Sequence, residues 1–353
     1  MKQSSSGRLQ PDSRTVYLDY LRVFSSIAVI VAHVAAQNWG YASVNGYAWH
    51  FFNAFNCSSF WSNGSFVMIS GILFLGREIS IKKLYSKYIL RMLVSFFTWS
   101  LIYAAFIQAD FDTRVRVFLR GYYHMWFVLM MIGLYICLPL LKEVASGKRC
   151  AYYLLLSVLF SSVIPELLLL LKHFGNDSLV LFADMATADL DKMQMSLVLG
   201  YGGYFILGYC IHRFEMSRKQ RVYVYALGLL GVLSAILLNA AVSIKTQTTC
   251  GDYSGHQSVH MLLAGVAVLV FFKYRAYPYA RWNALVRSIS RYSYGAFLSH
   301  VLVMEFLNER FGLNTFSFHP LVSVLLISAL VTGLSYLISA LLHCIPVVKR
   351  YCV

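Results

Sequence analysis

Long apolar runs, separated by short polar and basic segments, organise this sequence from end to end. A helix needs about 20 mostly apolar residues to cross the hydrocarbon core of a bilayer. Runs of this kind lie near residues 16–36, 51–76, 89–108, 125–145, 150–171, 196–212, 222–244, 258–274, 293–309 and 320–342. The pattern predicts an all-α fold, a polytopic membrane helical bundle of about ten transmembrane helices.

The composition indicates the same class of protein. Of the 353 residues, 59% are hydrophobic and 13% are charged, whereas an ordinary soluble chain is about half apolar and about a quarter charged. So few charges cannot coat a water-exposed surface, and this excludes most soluble and disordered classes. We expect a cytoplasmic N-terminal tail at residues 1–14, a single transmembrane domain at 15–345 and a cytoplasmic C-terminal tail at 346–353.

The excess of basic residues predicts how the bundle is oriented. The chain carries 30 Lys and Arg residues against 15 Asp and Glu residues. If both termini are cytoplasmic, 23 of the 30 basic residues face the cytoplasm, as the positive-inside rule requires. An N-in, C-in topology is therefore expected, and it accounts for the net charge without nucleic-acid binding.

Three polar side chains lie within the first apolar run, where ionisable groups are costly and mark functional sites by default. Arg22 and His33 are eleven residues apart in VYLDYLRVFSSIAVIVAH, which places both on one face of a helix, about 16 Å apart along its axis. Asp19, three residues before Arg22, joins the same stripe and is placed to pair with the guanidinium. The stripe links a cation at the cytoplasmic rim to a titratable imidazole inside the membrane.

An imidazole in this position fits a general base, because its ordinary pKa lies close to neutral pH. The purely structural alternative is that Arg22 extends to the lipid headgroups and His33 caps a carbonyl of a neighbouring helix. A rival functional class is a transporter or carrier in which Asp19, Arg22 and His33 form an intramembrane binding site. The sequence shows no convincing internal repeat, which disfavours that class.

The seven cysteines occur singly, most of them in apolar runs, and contain no CxxC pair. The spacing predicts neither a disulfide framework nor a metal site.

Six phrases, in this order along the chain, resemble the acyltransferase 3 family of bacterial membrane O-acyltransferases, which includes enterobacterial common antigen O-acetyltransferase-like proteins. They are LDYLRVFSSIAVIVAH at 18–33, SFVMISGILFL at 65–75, KLYSKYILRMLVSF at 83–96, HMWFVLMMIGLYICLPLL at 124–141, GGYFILGY at 202–209 and ISRYSYGAFLSH at 289–300. The most specific is the first, with an arginine and a histidine separated by ten residues. The resemblance covers about residues 16 to 340.

The resemblance implies transfer of an acyl group, acetyl above all, from cytoplasmic acyl-CoA to a hydroxyl group. It also implies that the acceptor is an envelope glycan or a lipid-linked sugar and that the protein resides in the inner membrane of a bacterium, among membrane lipids. His33 is the implied general base or acyl acceptor. Arg22, Lys87 and Arg91 would meet the phosphates of acetyl-CoA, since Arg binds phosphate through two parallel hydrogen bonds.

Other residues complete the expected site. Arg77, Arg287 and Arg291 are the further basic residues expected at the donor pocket, although positive-inside topology explains each of them as well. We also expect His300 and Asp19 at the reaction centre, and Trp126 and Ser70 at the substrate. The alternatives are a hydrogen-bonded structural histidine, an interfacial tryptophan and a close-packing serine, respectively.

Overall fold

The computed structural model describes residues 16–194 and 199–353. Within these ranges the chain forms helices and no strand. The helices are α1 Val16–Ala36, α2 Tyr47–Ser59, α3 Ser62–Leu75, α4 Leu90–Phe106, α5 Phe111–Arg120, α6 Trp126–Ile136, α7 Leu138–Ser146, α8 Cys150–Val158, α9 Ile164–Phe174, α10 Asp177–Lys192, α11 Tyr201–Arg213, α12 Arg218–Thr246, α13 Val259–Tyr274, α14 Ala280–Ser290, α15 Ser293–Phe311, α16 Pro320–Leu342 and α17 Pro346–Tyr351. The predicted all-α bundle is confirmed.

Within the described ranges, eight helical segments are long and apolar enough to cross a membrane: Val16–Tyr41, Tyr47–Leu75, Ile81–Phe106, Phe111–Ile136, Cys150–Phe174, Arg218–Thr246, Asp252–Tyr274 and Pro320–Leu342. They overlap eight of the ten predicted runs, although the fourth, predicted near 125–145, lies further toward the N-terminus at Phe111–Ile136. The other two runs are also helical where the structure describes them, as α11 and α15. Helix α15 carries Glu305, Glu309 and Arg310, so its composition is less apolar than that of the eight.

Local sequence signals set several helix boundaries. The Ser217 side chain accepts a hydrogen bond from the Gln220 backbone N–H, and the Gln220 side chain accepts one from the Ser217 N–H. This capping box satisfies two donors at the start of α12. Ser258 caps α13 through the Met261 N–H in the same way.

Helix α1 lies in the centre of the bundle and contacts α2, α3, α13, α14, α15 and α16. Glycines bring some of the surrounding helices unusually close together. A Cβ on Gly71 would collide with the backbone of Phe205, and one on Gly295 would collide with the Ser339 side chain. Small residues allow such close backbone contact between membrane helices.

The C-terminal segment, expected as a tail at residues 346–353, is a short helix followed by residues that pack on α4. The Trp99 indole donates a hydrogen bond to the Cys352 carbonyl at 3.0 Å, and Val353 is buried. The predicted N-terminal tail, 1–14, lies outside the described residues. Together, these contacts bring α1, α4, α15 and α17 around one cavity.

Candidate active site

A cavity of about 630 Å³ opens between α1, α3, α4, α6, α15, α16 and α17. Its volume lies within the roughly 300–1,000 Å³ typical of small-molecule sites. Aromatic side chains form much of the wall, including Tyr88, Tyr135, Tyr294 and Phe66.

Four basic side chains line this cavity: Arg22, Arg91, Arg291 and Lys349. Three of them were expected at the donor pocket from the sequence. Ser70, expected at the substrate, lines the same cavity. The structure therefore brings together basic residues from α1, α4, α17 and the junction between α14 and α15.

The surroundings of Arg91 fix its guanidinium at the cavity wall. Its Nη2 donates a hydrogen bond to the Val353 carbonyl oxygen, and its Cζ lies 6.0 Å from the centroid of the Tyr294 ring. Immediately before α4, residues Leu84–Ile89 form a π-helical turn. Such turns are rare and occur often at functional sites, because they change the direction in which the following side chains point.

Three other basic residues expected at the donor pocket, all within the described ranges, do not line the cavity. Lys87 and Arg77 are exposed, with the Lys87 Nζ 5.8 Å from the Tyr88 ring centroid. Arg287 is also exposed, and its Nε lies 3.9 Å from an Asp19 carboxylate oxygen. Their sequence positions suit cytoplasmic loops equally well, and positive-inside topology explains their charge without a ligand.

The Asp19 side chain connects α1 to α14 through a hydrogen bond. Its carboxylate is buried and accepts a hydrogen bond from the Ser290 hydroxyl at 2.8 Å. The structure thus adds Ser290 and Arg287 to the surroundings of Asp19, for which the sequence suggested Arg22 alone. Asp19 does not itself line the cavity, whereas Ser290 does.

Two phenylalanines stand between the cavity and a group of histidines. Phe127 and Phe297 both line the cavity, and their ring centroids are 5.7 Å apart. The Phe297 ring also contacts His124 at 5.6 Å and His300 at 5.7 Å. The histidines therefore lie directly behind one wall of the cavity.

His33, His124 and His300 form this group, which we call the histidine cluster. The ring centroids of His33 and His300 are 5.0 Å apart, those of His124 and His300 are 5.2 Å apart, and those of His33 and His124 are 6.3 Å apart. His124 and His300 are buried, whereas His33 keeps partial exposure. Of the three residues, His33 is therefore the most exposed.

The hydrogen bonds of His300 hold its ring in one orientation. Its Nδ1 lies 2.5 Å from the Phe297 carbonyl oxygen, which makes Nδ1 the protonated nitrogen. Its Nε2 is buried and has no hydrogen-bond partner among the described residues. An unsatisfied buried ring nitrogen is costly, so this atom is available to a ligand or water.

His124 is the member of the cluster that sequence reasoning missed. It begins the phrase HMWFVLMMIGLYICLPLL, one of the six that carried the family resemblance. A further signal was its position beside an apolar run, since an ionisable residue there marks a site by default. The neighbouring Tyr123 contacts the His33 ring at 5.6 Å.

Trp126, expected at the substrate, packs beside a fourth histidine. Its ring centroid is 4.5 Å from that of His256, which also stacks on Phe60 at 4.7 Å. The Asn63 side-chain amide lies 3.0 Å from His256 Nδ1. None of the residues of this group lines the cavity.

Ring contacts connect the cluster to Tyr103, Tyr122 and Tyr123. The Tyr122 hydroxyl donates a hydrogen bond to Glu305 at 2.7 Å, and the Tyr122 ring stacks on Tyr103 with centroids 4.7 Å apart. Tyr122 and Tyr123 are themselves in contact at 5.0 Å. His33 thus contacts Tyr123 directly and is connected to Phe297 of the cavity wall through His300.

The model of one protein family, described as an acyltransferase domain, matches residues 15–340. The protein belongs to the acyltransferase 3 family. No curated protein and no solved structure shows significant similarity to the chain. The family match and the apolar helices together make this chain a multi-pass membrane acyltransferase, and acyl transfer is therefore favoured over the carrier hypothesis. The histidine cluster of this acyltransferase includes both His33 and His300 of the expected site.

Proposed function

We propose that this acyltransferase moves an acetyl group from cytoplasmic acetyl-CoA to a hydroxyl group of an envelope glycan or a lipid-linked sugar. The observation that carries the proposal is the placement of two residues of one helix. Arg22 lines the basic cavity, and His33, about three turns further along α1, lies in the histidine cluster.

The cavity supports the choice of donor. Coenzyme A carries several phosphate charges, and Arg22, Arg91, Arg291 and Lys349 supply four cations around one space. Guanidinium groups bind phosphate oxygens through paired hydrogen bonds. The apolar and tyrosine-lined remainder of the cavity suits the uncharged pantetheine arm, whose thioester would then lie toward Phe297 and the cluster.

The chemistry follows from an imidazole beside a thioester. In the direct reaction, a His33 ring nitrogen removes the proton of the acceptor hydroxyl as its oxygen attacks the thioester carbonyl carbon. The new C–O bond forms, the C–S bond breaks, and the thiolate of coenzyme A leaves and takes up a proton. In the two-step reaction, a His33 nitrogen attacks the thioester carbon, the C–S bond breaks and coenzyme A leaves as its thiol. The acceptor hydroxyl then attacks the acetyl-imidazole, so that the C–O bond forms, the C–N bond breaks and the hydroxyl proton passes to the imidazole.

The two ends of the site suit opposite sides of a bacterial inner membrane. The basic cavity faces the side that the positive-inside rule assigns to the cytoplasm, and the acceptor would approach His33 from the other side. Only the acetyl group then crosses the hydrocarbon core, so the charged donor never has to enter it.

Incubation of the purified full-length protein with isotopically labelled acetyl-CoA and an envelope glycan extract tests the proposal. We expect the label on a sugar hydroxyl, identified by mass spectrometry, together with free coenzyme A in equal amount. Release of coenzyme A without a labelled acceptor would support only hydrolysis. Label transfer from a donor other than acyl-CoA, with acetyl-CoA inert, would overturn the donor assignment.

A further inference from the structure

A second group of polar side chains lies far from the cavity, near the loop that joins α12 to α13. His173 from the end of α9, Cys250 from the loop and Asp252 from the following helical turn each offer one ligand atom. The imidazole nitrogen, the thiol sulfur and the carboxylate oxygen all lie within 4.8 Å of one another. None of the three lines the cavity or belongs to the histidine cluster.

The ring of His173 is oriented as in a metal site. Its Nδ1 lies 3.1 Å from the hydroxyl of Tyr253, a residue that is fully buried. Its Nε2 lies 3.5 Å from the carboxylate of Asp252. A histidine ligand usually makes a hydrogen bond through the nitrogen that does not bind the metal, and this bond fixes the ring. Tyr253 supplies that partner here.

The loop that carries the other two residues is anchored to the bundle. The Cys250 backbone N–H donates a hydrogen bond to the Ser243 hydroxyl at 2.8 Å, and the Tyr253 backbone N–H donates one to the side-chain Oδ1 of Asn239 at 3.1 Å. Asn239 is itself completely buried. The positions of Cys250 and Asp252 are therefore set before any ligand binds, which lowers the entropic cost of assembling a site.

The ligand set selects among metal ions. Calcium and magnesium take oxygen ligands and avoid sulfur, whereas zinc accepts nitrogen, sulfur and carboxylate oxygen together. A thiolate and a carboxylate also neutralise the charge of a divalent ion. The nearby cation of Lys172 is already paired with Asp184 at 2.8 Å.

We propose that His173, Cys250 and Asp252 bind a zinc ion, with water as the fourth ligand. The Asp252 side chain is 50% exposed, which leaves that position open to solvent. On binding, the Cys250 S–H bond breaks, a zinc–sulfur bond forms and the proton passes to the solvent. The ion would clamp the end of α9 to the loop before α13, on the side predicted to lie outside the cytoplasm.

Cobalt substitution tests the site directly. The full chain, purified in detergent with a tag that lacks histidine, is stripped with a chelator and titrated with Co²⁺. We expect one equivalent to produce the visible bands of tetrahedral cobalt and a near-ultraviolet thiolate-to-cobalt band, and zinc to displace both. Elemental analysis of zinc-loaded protein should give one zinc per chain.

Variants identify the ligands. Cys250→Ser should lose the thiolate band, and Asp252→Asn, a change at an exposed side chain that the fold tolerates, should weaken binding at least about tenfold. Cys137→Ser, at an exposed cysteine elsewhere, is the matched control and should bind cobalt as the unmodified protein does. Absence of the thiolate band from the unmodified protein, or equally tight binding by Asp252→Asn, would overturn the proposal.

Discussion

The imidazole rings of His33 and His300 are in contact, with 5.0 Å between their centroids and 50° between their planes. His33 lies on the first helix and His300 near the end of the chain, on α15, three residues after Phe297 of the cavity wall. Helix α15 therefore supplies both Phe297, in the wall of the proposed donor site, and His300, which contacts the proposed base His33.

Replacing His33 should abolish acyl transfer while leaving the protein folded. General acid–base catalysis contributes about 10²- to 10⁴-fold to rate, so His33→Ala should lose at least that factor in the labelled acetyl-CoA assay. His319→Ala is the matched control, because His319 contacts only Tyr47 and Phe51 among described aromatic rings, outside the cluster. Full activity of purified His33→Ala would exclude both proposed roles of this residue.

Replacing Arg22 should weaken donor binding more than it slows the transfer step. A charge-assisted hydrogen bond contributes about 1.5–3 kcal/mol, so Arg22→Ala should raise the KM for acetyl-CoA about 10- to 100-fold. Arg22→Lys should recover part of this loss because it keeps the charge without the paired geometry. Arg281→Ala, at an exposed arginine beside Trp282, should leave KM unchanged. An unchanged KM in Arg22→Ala would remove this residue from the donor site.

Shortening the side chain of Phe297 should change the preference for acyl chain length. Its ring lies between the cavity and the histidine cluster, so Phe297→Leu should make room for a longer acyl group next to His33. We expect the ratio of butyryl to acetyl transfer to rise several-fold in competition assays, with butyryl- and acetyl-CoA supplied together. If the ratio does not move, the thioester does not pass this ring.

The contact between α3 and α11 should tolerate no side chain at Gly71. Gly71→Ala places a methyl group against the Phe205 backbone, and overpacking of this kind costs about 1–3 kcal/mol. Its melting temperature in detergent should therefore fall. Gly133→Ala is the matched control: no atom lies within 4 Å of a Cβ placed there, and in a helix the change is favourable by up to about 1 kcal/mol. Equal melting temperatures for the two variants would contradict the packing described here.

The sequence alone predicted the helical elements well, because each depends on local composition. An apolar run of membrane length folds as a helix wherever it is placed, since lipid offers no partner for a free backbone N–H or C=O. The sequence did not predict two smaller features of these helices. The interruption of the second span between α2 and α3, and the π-helical turn before Arg91, depend on contacts with neighbouring helices.

The candidate site was predictable only in part. Helix geometry places Arg22 and His33 on one face of a single helix, so these two residues of the site could be predicted from the sequence. Arg291, which lines the cavity, could not be separated from Arg77 and Arg287 in this way, because loop charge reports topology.

The sequence by itself determined that this chain is a helical membrane protein with an arginine and a histidine on one face of its first helix. Periodicity and hydropathy are properties of neighbouring residues, and they need no knowledge of the fold. Only the tertiary structure decided that His124 and His300 meet His33 and which cations share a cavity with Arg22. It likewise brought together His173, Cys250 and Asp252, whose spacing along the chain predicted no metal site. These groupings depend on how separate helices pack, and long-range packing is not encoded in any one segment.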